Sequence, residues 1–256
     1  MLEQEQKELS SLKSLFILEA MAQQDSYVGI NEICQETGYS QATVHRILNE
    51  MLCCGYAEKN ERYKKYRIGP KAVALGGRFL HANSIVIAAR PEMEQLGQAT
   101  GETVHLLAMA GDEVIYLDII HTAHTLGLMS FVGKKNPMYC TSGGKAILAF
   151  QPEEWLDGYL RRVPRKAYTS TTLVEESALK NALAEIRLKG YALDDQEHHH
   201  DVTCVGAPIF DSQNKGVAAL SVAAPTYRFP LESAVALAPR VIAAANAISA
   251  KLGGSR

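Results

Sequence analysis

Three stretches of this chain carry side chains of the types that ligate metals, cradle phosphates or attack carbonyls. His198, His199 and His200 run consecutively, with Asp194, Asp201 and Cys204 close by in sequence. Imidazole, carboxylate and thiol are the ligands a transition metal takes, but consecutive histidines in a short polar segment do not all turn to one ion. The segment therefore reads as a solvated loop without metal. The string Ser142-Gly143-Gly144-Lys145 has the outline of a phosphate-binding loop, yet such a loop needs glycine where Tyr139 stands and Ser or Thr where Ala146 stands. Ser221 or Cys204 could act as a nucleophile with His105 as its base. No G-x-S-x-G elbow, H-E-x-x-H pair or deaminase signature accompanies them, and only Asp194 and Asp195 stand out as paired carboxylates. An enzyme is the alternative reading; no catalytic residue, metal or cofactor is assigned.

A fourth stretch suits nucleic acid better. Residues 41–52 (QATVHRILNEML) place Val44, Ile47, Leu48 and Met51 in one narrow arc of a helix. The opposite face holds Ala42, Arg46 and Asn49, with Thr43 and His45 on its flanks. Arginine suits guanine, asparagine suits adenine, and hydroxyls suit either. Ser40 is a good N-cap, and with Gln41 it stands at the end of the helix that would enter the groove. Between residues 40 and 80 there are eight basic residues against three acids, whereas residues 1–39 hold two lysines and seven acids. Arg62, Lys64 and Lys65 fall on a hairpin after the helix, where local positive charge recruits phosphates by releasing counterions.

The elements that must position these groups follow from the periodicity. Leu9, Leu12, Leu15, Phe16, Leu18 and Met21 predict a helix over 9–22, and Ile30, Ile33 and Cys34 a second over 30–37. Gly38-Tyr39 separates it from the third helix. Residues 56–59 and 63–68 flank Asn60-Glu61-Arg62 as a short hairpin. This is the order of a winged helix-turn-helix; a helical protein-contact module with a solvated charged hairpin is the blander reading of the same pattern. One further helix is predicted from about Pro70 through residue 88, with Pro91 as a boundary and 92–100 helical again. Gly111-Asp112 marks a hairpin within 103–121, and 126–131 (LGLMSF), 204–211 and 216–224 read as strands. Helices over 143–151, 153–161, 175–189 and 231–252 are interleaved. The fold class is α+β with a mainly antiparallel sheet in the second half. The divisions are 1–69 for the winged helix-turn-helix domain, 70–90 for a linker helix and 91–256 for the second domain.

Bulk properties agree with two modest globular domains. The chain has 256 residues, 47% hydrophobic and 21% charged, and a net charge of −2 that excludes a uniformly basic coat for nucleic acid. Five cysteines (34, 53, 54, 140 and 204), with no C-x-x-C pair, read as free thiols in a reducing compartment. Glu3, Glu5 and Glu8 interrupt any leader, and Pro239, Arg240 and Asn246 interrupt the apolar stretch 234–250, so neither a signal peptide nor a membrane span is expected. The expected location is the cytoplasm.

The runs SQATVHRIL (40–48), GYA (55–57), YRIGP (66–70), GETVHL (101–106), EVIYLD (113–118), VGKKNP (132–137), TSGGKAILA (141–149), IRLKGYALDDQE (186–197), CVGAPIFD (204–211) and ALSV (219–222) resemble, in order and spacing, the IclR-type regulators of bacteria. KKNPMYCTSGGK and APTYRF are most similar to the branch that controls sugar-acid catabolism. The resemblance implies a winged helix, a dimerising linker helix and a GAF-like effector domain. It also implies homodimers or dimers of dimers on palindromic double-stranded operators, with repression the expected mode in a family that also holds activators. It places a small carboxylate effector at Ser142, Gly143 and Gly144, where a helix N-terminus offers amide donors. Asp194, Cys204 and Ser221 match further ligand-contacting positions, and Leu128, Met129 and Phe131 would supply an apolar wall. Ser142 stands where glycine is frequent, and Ala223 where some members have a second serine. Each residue has a structural alternative: Ser142 as an N-cap, Cys204 as a small core hydrophobe, Ser221 as a satisfied strand hydroxyl.

Overall fold

Gly38 and Gly55 punctuate the first half of the chain. Both take positive φ (74° and 78°), a conformation a side chain resists, and each closes a helix by returning its amide to a carbonyl of the last turn. The computed structural model describes residues 10–24, 26–82, 84–125 and 127–254, and the chain divides into two compact units between Ala82 and Asn83. The first unit contains α1 (Ser10–Ala22), α2 (Ile30–Thr37), α3 (Gln41–Cys54), β1 (Ala57–Asn60), β2 (Lys65–Ile68) and α4 (Lys71–Ala82). Leu9, expected to open the first helix, lies outside the described residues.

Ile17 and Met21 of α1, Ile33 of α2 and Val44, Ile47 and Leu48 of α3 form the core of this unit, closed by Tyr66 of β2. Val28 exchanges both backbone bonds with Tyr66 (2.7 and 2.8 Å), fastening the segment between α1 and α2 to the hairpin. Asn60 turns β1 into β2 by accepting from the amides of Arg62 and Tyr63. The turn runs to Lys64, itself left-handed at φ 52°, so β2 begins two residues later than the pattern predicted.

The expected single helix from Pro70 to residue 88 is instead two elements, α4 ending at Ala82 and α5 (Ser84–Thr100) beginning the second unit. Pro91 is no boundary. It sits inside α5 on an exposed turn, where the missing amide costs one hydrogen bond of a 17-residue helix. Val73, Leu75 and Phe79 of α4 are exposed within their unit.

The second unit is built on a six-stranded sheet of β3 (Thr103–Ala110), β4 (Glu113–Ile120), β5 (Lys135–Pro137), β6 (Ala192–Asp195), β7 (Val202–Phe210) and β8 (Gly216–Pro225). Its order is β5-β4-β3-β8-β7-β6 and every neighbouring pair is antiparallel. Gly111 (φ 68°) makes the β3–β4 turn as its type and position predict. The strand expected over 126–131 does not form: Leu126 is outside the described residues, and 127–131 run without regular structure. The third strand of the meander is β5, displaced toward Pro137, and β6 had no counterpart in the pattern.

Both faces of the sheet are covered. Gly97 of α5 lies against Val104 and Ile120 on one face, and Gly143 of α6 (Ser142–Leu148) lies against Leu107 on the other. With α6, α7 (Glu153–Arg162) and α8 (Glu176–Lys189) close a core around Leu107, Ile147, Leu148, Tyr159 and Leu183. On the α5 face lies α9 (Leu231–Lys251), which continues through Pro239. Among the described residues α9 alone is a helix long and apolar enough to cross a membrane, but its Leu237, Val241, Ala245 and Ile248 are buried against the sheet and α5.

Candidate functional site

The outward face of α3 carries the residues expected to read DNA. Gln41, His45, Arg46 and Asn49 are exposed and Thr43 is half-buried, while Val44, Ile47, Leu48 and Met51 are inside. Ser40 caps the helix, accepting from the Thr43 amide (3.4 Å) and lying 3.0 Å from the Thr43 hydroxyl. The long side chains are held by neighbours. Arg46 pairs with Glu50 (2.6 Å), Asn49 Nδ2 approaches His45 Nδ1 (3.3 Å), and Gln41 donates to Asn31 (2.5 Å). At the hairpin, Lys64 pairs with Glu61 (2.7 Å), Lys65 with Glu32 (3.7 Å), and Arg62 stacks over Tyr63. Exposed pairs of this kind are worth little and exchange readily for a phosphate or a base edge.

The second site lies between the sheet and the start of α6. Thr141, not Ser142, caps that helix: its Oγ1 accepts from the Gly144 amide (3.3 Å) and donates to the Pro137 carbonyl (2.8 Å). A side chain at Gly143 would meet Leu107 at 2.6 Å, and one on Gly206 would come within 3.2 Å of Ser142 Oγ and 3.0 Å of the Gly143 amide nitrogen. Two glycines thus let the helix start settle on β3 and β7. A cavity of about 320 Å³ opens beside it.

Leu128, Met129, Ser142, Gly143, Asp194, Cys204 and Ser221, all expected at an effector site, line this one cavity. Gly144 does not; it is pressed on Met138 and Thr141, which explains the glycine without a ligand. Phe131 is exposed and off the lining. Ala223 is on the wall, facing Cys204 across the strands. The sequence reading left Tyr116, Asn136, Thr141 and Lys134 out of the site, and treated His198 and His199 as solvated. His198 is half-buried and edge-on to Tyr168, His199 is exposed as expected, and both line the cavity.

Asp194 and Cys204 are direct partners across β6 and β7. The Asp194 carboxylate accepts from the Glu197 amide (2.8 Å) and is buried, and burial lifts its pKa to about 7 against the pull of Lys145. Behind it, out of solvent, Lys145 of α6 pairs with Glu197. Burial pushes the Cys204 thiol upward, with the Asp194 charge adding to it. His105 is stacked on Tyr116 (4.5 Å), and burial depresses its pKa to about 3.

His105 Nε2 bonds to Ser130 Oγ (2.9 Å) rather than to Ser221, although the two backbones are paired, and Cys204 is held as a thiol. A nucleophile needs a base within reach or a lowered pKa; the Cys204 pKa is raised and the His105 ring is turned to Ser130.

Comparison with known proteins agrees with both halves. Residues 12–61 match the IclR helix-turn-helix domain, and residues 77–250 match the bacterial transcriptional regulator IclR C-terminal domain. The chain is 32% identical to the HTH-type transcriptional regulator KdgR of Escherichia coli over 95% of its length and 92% of the relative's. It is also 32% identical to the transcriptional repressor IclR of the same organism, over 96% and 91%. The crystal structure of an IclR transcriptional regulator from Alicyclobacillus acidocaldarius superposes with a TM-score of 0.85 at 26% identity, covering 95% of this chain and 98% of that one. Matches to both family domains across nearly the whole chain, and relatives above 30% identity over almost their full length, place this protein in the IclR family of DNA-binding bacterial transcriptional regulators.

Proposed function

We propose that the protein is a cytoplasmic repressor that binds a palindromic operator as a homodimer or dimer of dimers, and that a small carboxylate in the α6 cavity modulates that binding. The observation that carries the effector half is the convergence of residues from β6, β7, β8 and α6, far apart in sequence, on one cavity of ligand size. The amides of Ser142 and Gly143 precede the first intrahelical bond, from Lys145 to Thr141, and suit the carboxylate. Asp194, in its ionised form, accepts from ligand hydroxyls, which favours a keto or sugar acid bearing a polyol. Three relatives are named as repressors, which supports the direction of control. Gating requires the ligand to favour one arrangement over another; tight binding alone shifts nothing.

The exposed Val73, Leu75 and Phe79 of α4 support self-association, since a helix rarely leaves such a surface wet. A monomeric mass at micromolar concentration by light scattering would remove that part of the reading. The effector half is tested by titrating keto and sugar acids against the operator complex of the full chain, with thermal shift as a parallel readout. Response only to neutral or cationic compounds would overturn the carboxylate assignment.

A further inference from the structure

We propose that Lys134, with His198 and His199, forms a second anion subsite in the α6 cavity, so that the effector carries two anionic groups. This rests on the carboxylate reading of the pocket and adds to it the class of ligand. Lys134 lies in the turn before β5, and its backbone is fixed there. Its carbonyl accepts from the Tyr116 amide (3.0 Å), its amide donates to Phe131 (3.1 Å), and Gly133 before it, at φ 92°, donates to Tyr116 (2.8 Å). The next residue, Lys135, is exposed and lies 3.9 Å from Glu113. Lys134 instead lines the cavity and is half-buried.

Among the described residues no carboxylate pairs with Lys134, and the hydrogen bond its ammonium makes is a long one, 3.4 Å, to the Met129 carbonyl. An ammonium has three protons to donate, and a half-buried one with a single weak acceptor is poised for an anion. His198 and His199 line the same cavity with their rings 4.1 Å apart. Burial depresses both, His198 to about 4, and the Lys134 charge depresses both further, which sets the three groups within one another's field. The charges acting on Asp194 are those of Lys145 and Glu197. The cavity thus has a basic part around Lys134 and an acidic part around Asp194. A neutral imidazole beside an anion supplies an N–H donor or takes up a proton, so both histidines can serve the incoming group.

The test is calorimetry on the full-length protein with two matched pairs, 2-oxopentanoate against 2-oxoglutarate and gluconate against glucarate. Within each pair the carbon count is constant and only the second carboxylate differs. The wild type should bind the dianion of at least one pair about tenfold more tightly, the worth of one added charged contact. Lys134→Met should abolish that preference and leave the monoanion within about twofold, while Lys134→Arg should retain it. Equal affinity for mono- and dianions in the wild type would overturn the second subsite and leave the first intact. Equal weakening of both by Lys134→Met would also overturn it, since Lys134 would then serve the single carboxylate. Binding of none of the four acids would overturn the carboxylate reading itself, and the subsite with it.

Discussion

Arg46 holds Glu50 one helical turn further along α3, Nη1 to Oε1 at 2.6 Å, on the face of the helix turned to solvent. An arginine that reads guanine must first leave that carboxylate. Arg46→Ala should weaken cognate operator binding by about 1–3 kcal/mol. Glu50→Ala, which frees the arginine, should tighten binding at cognate and unrelated sites alike by removing a negative charge from the interface. Fluorescence anisotropy with short duplexes measures both. Unchanged affinity in folded Arg46→Ala would discard α3 as the reading helix.

Lys64 and Lys65 should act on phosphates. Replacing either should weaken all sequences to the same degree and reduce the slope of log affinity against log salt by about one. Lys64 is left-handed, so Lys64→Asn is the better probe, since asparagine tolerates that conformation. A change confined to the cognate sequence would show base reading at the hairpin instead.

Asp194 predicts a pH dependence of stability. Its folded pKa, about 7, is above the ordinary 3.8, so between those values the folded chain holds a proton the unfolded chain has released. Stability must therefore fall as pH rises through that window and level off above it. Asp194→Asn keeps the acceptor for the Glu197 amide and removes the titration. The mutant should gain on the wild type by ~2 kcal/mol between pH 5.5 and 7.5 in urea unfolding. Parallel curves would show that Asp194 is ionised throughout.

Lys145 and Glu197 form a buried pair in which Glu197 Oε2 already has no hydrogen-bond partner among the described residues. Lys145→Met strands a buried carboxylate and should cost about 3–5 kcal/mol at neutral pH. The double variant Lys145→Met/Glu197→Gln should recover a large part of that loss. Additive losses in the two single variants and the double would mean that the groups do not sense each other.

Elements with local causes were legible in the sequence. The β3–β4 hairpin follows from Gly111-Asp112, and the inward arc of α3 from the spacing of Val44, Ile47, Leu48 and Met51. Elements that tertiary partners impose were not. β5 holds Lys135, Asn136 and Pro137, a poor strand in isolation, and it forms because β4 offers a free edge. Leu128, Met129 and Phe131 look like strand residues, yet Met129 is 92% exposed on a segment that borders the cavity. Pro91 looks like a helix end and is not, because it removes one donor from a long helix that packing sustains. The site followed the same division. Asp194, Cys204 and Ser221 were found through family resemblance, whereas Lys134 and Asn136 are ordinary polar residues whose side chains enter the cavity only after β4 and β5 pair.

The six-stranded sheet ends in its two shortest strands, β5 with three residues and β6 with four. An outer edge that brief, carrying Pro137 without an amide proton on one side and two aspartates on the other, offers almost no ladder for a foreign strand to join. The sheet can therefore stay six strands wide without recruiting a seventh from another molecule, because it has been left nowhere to grow.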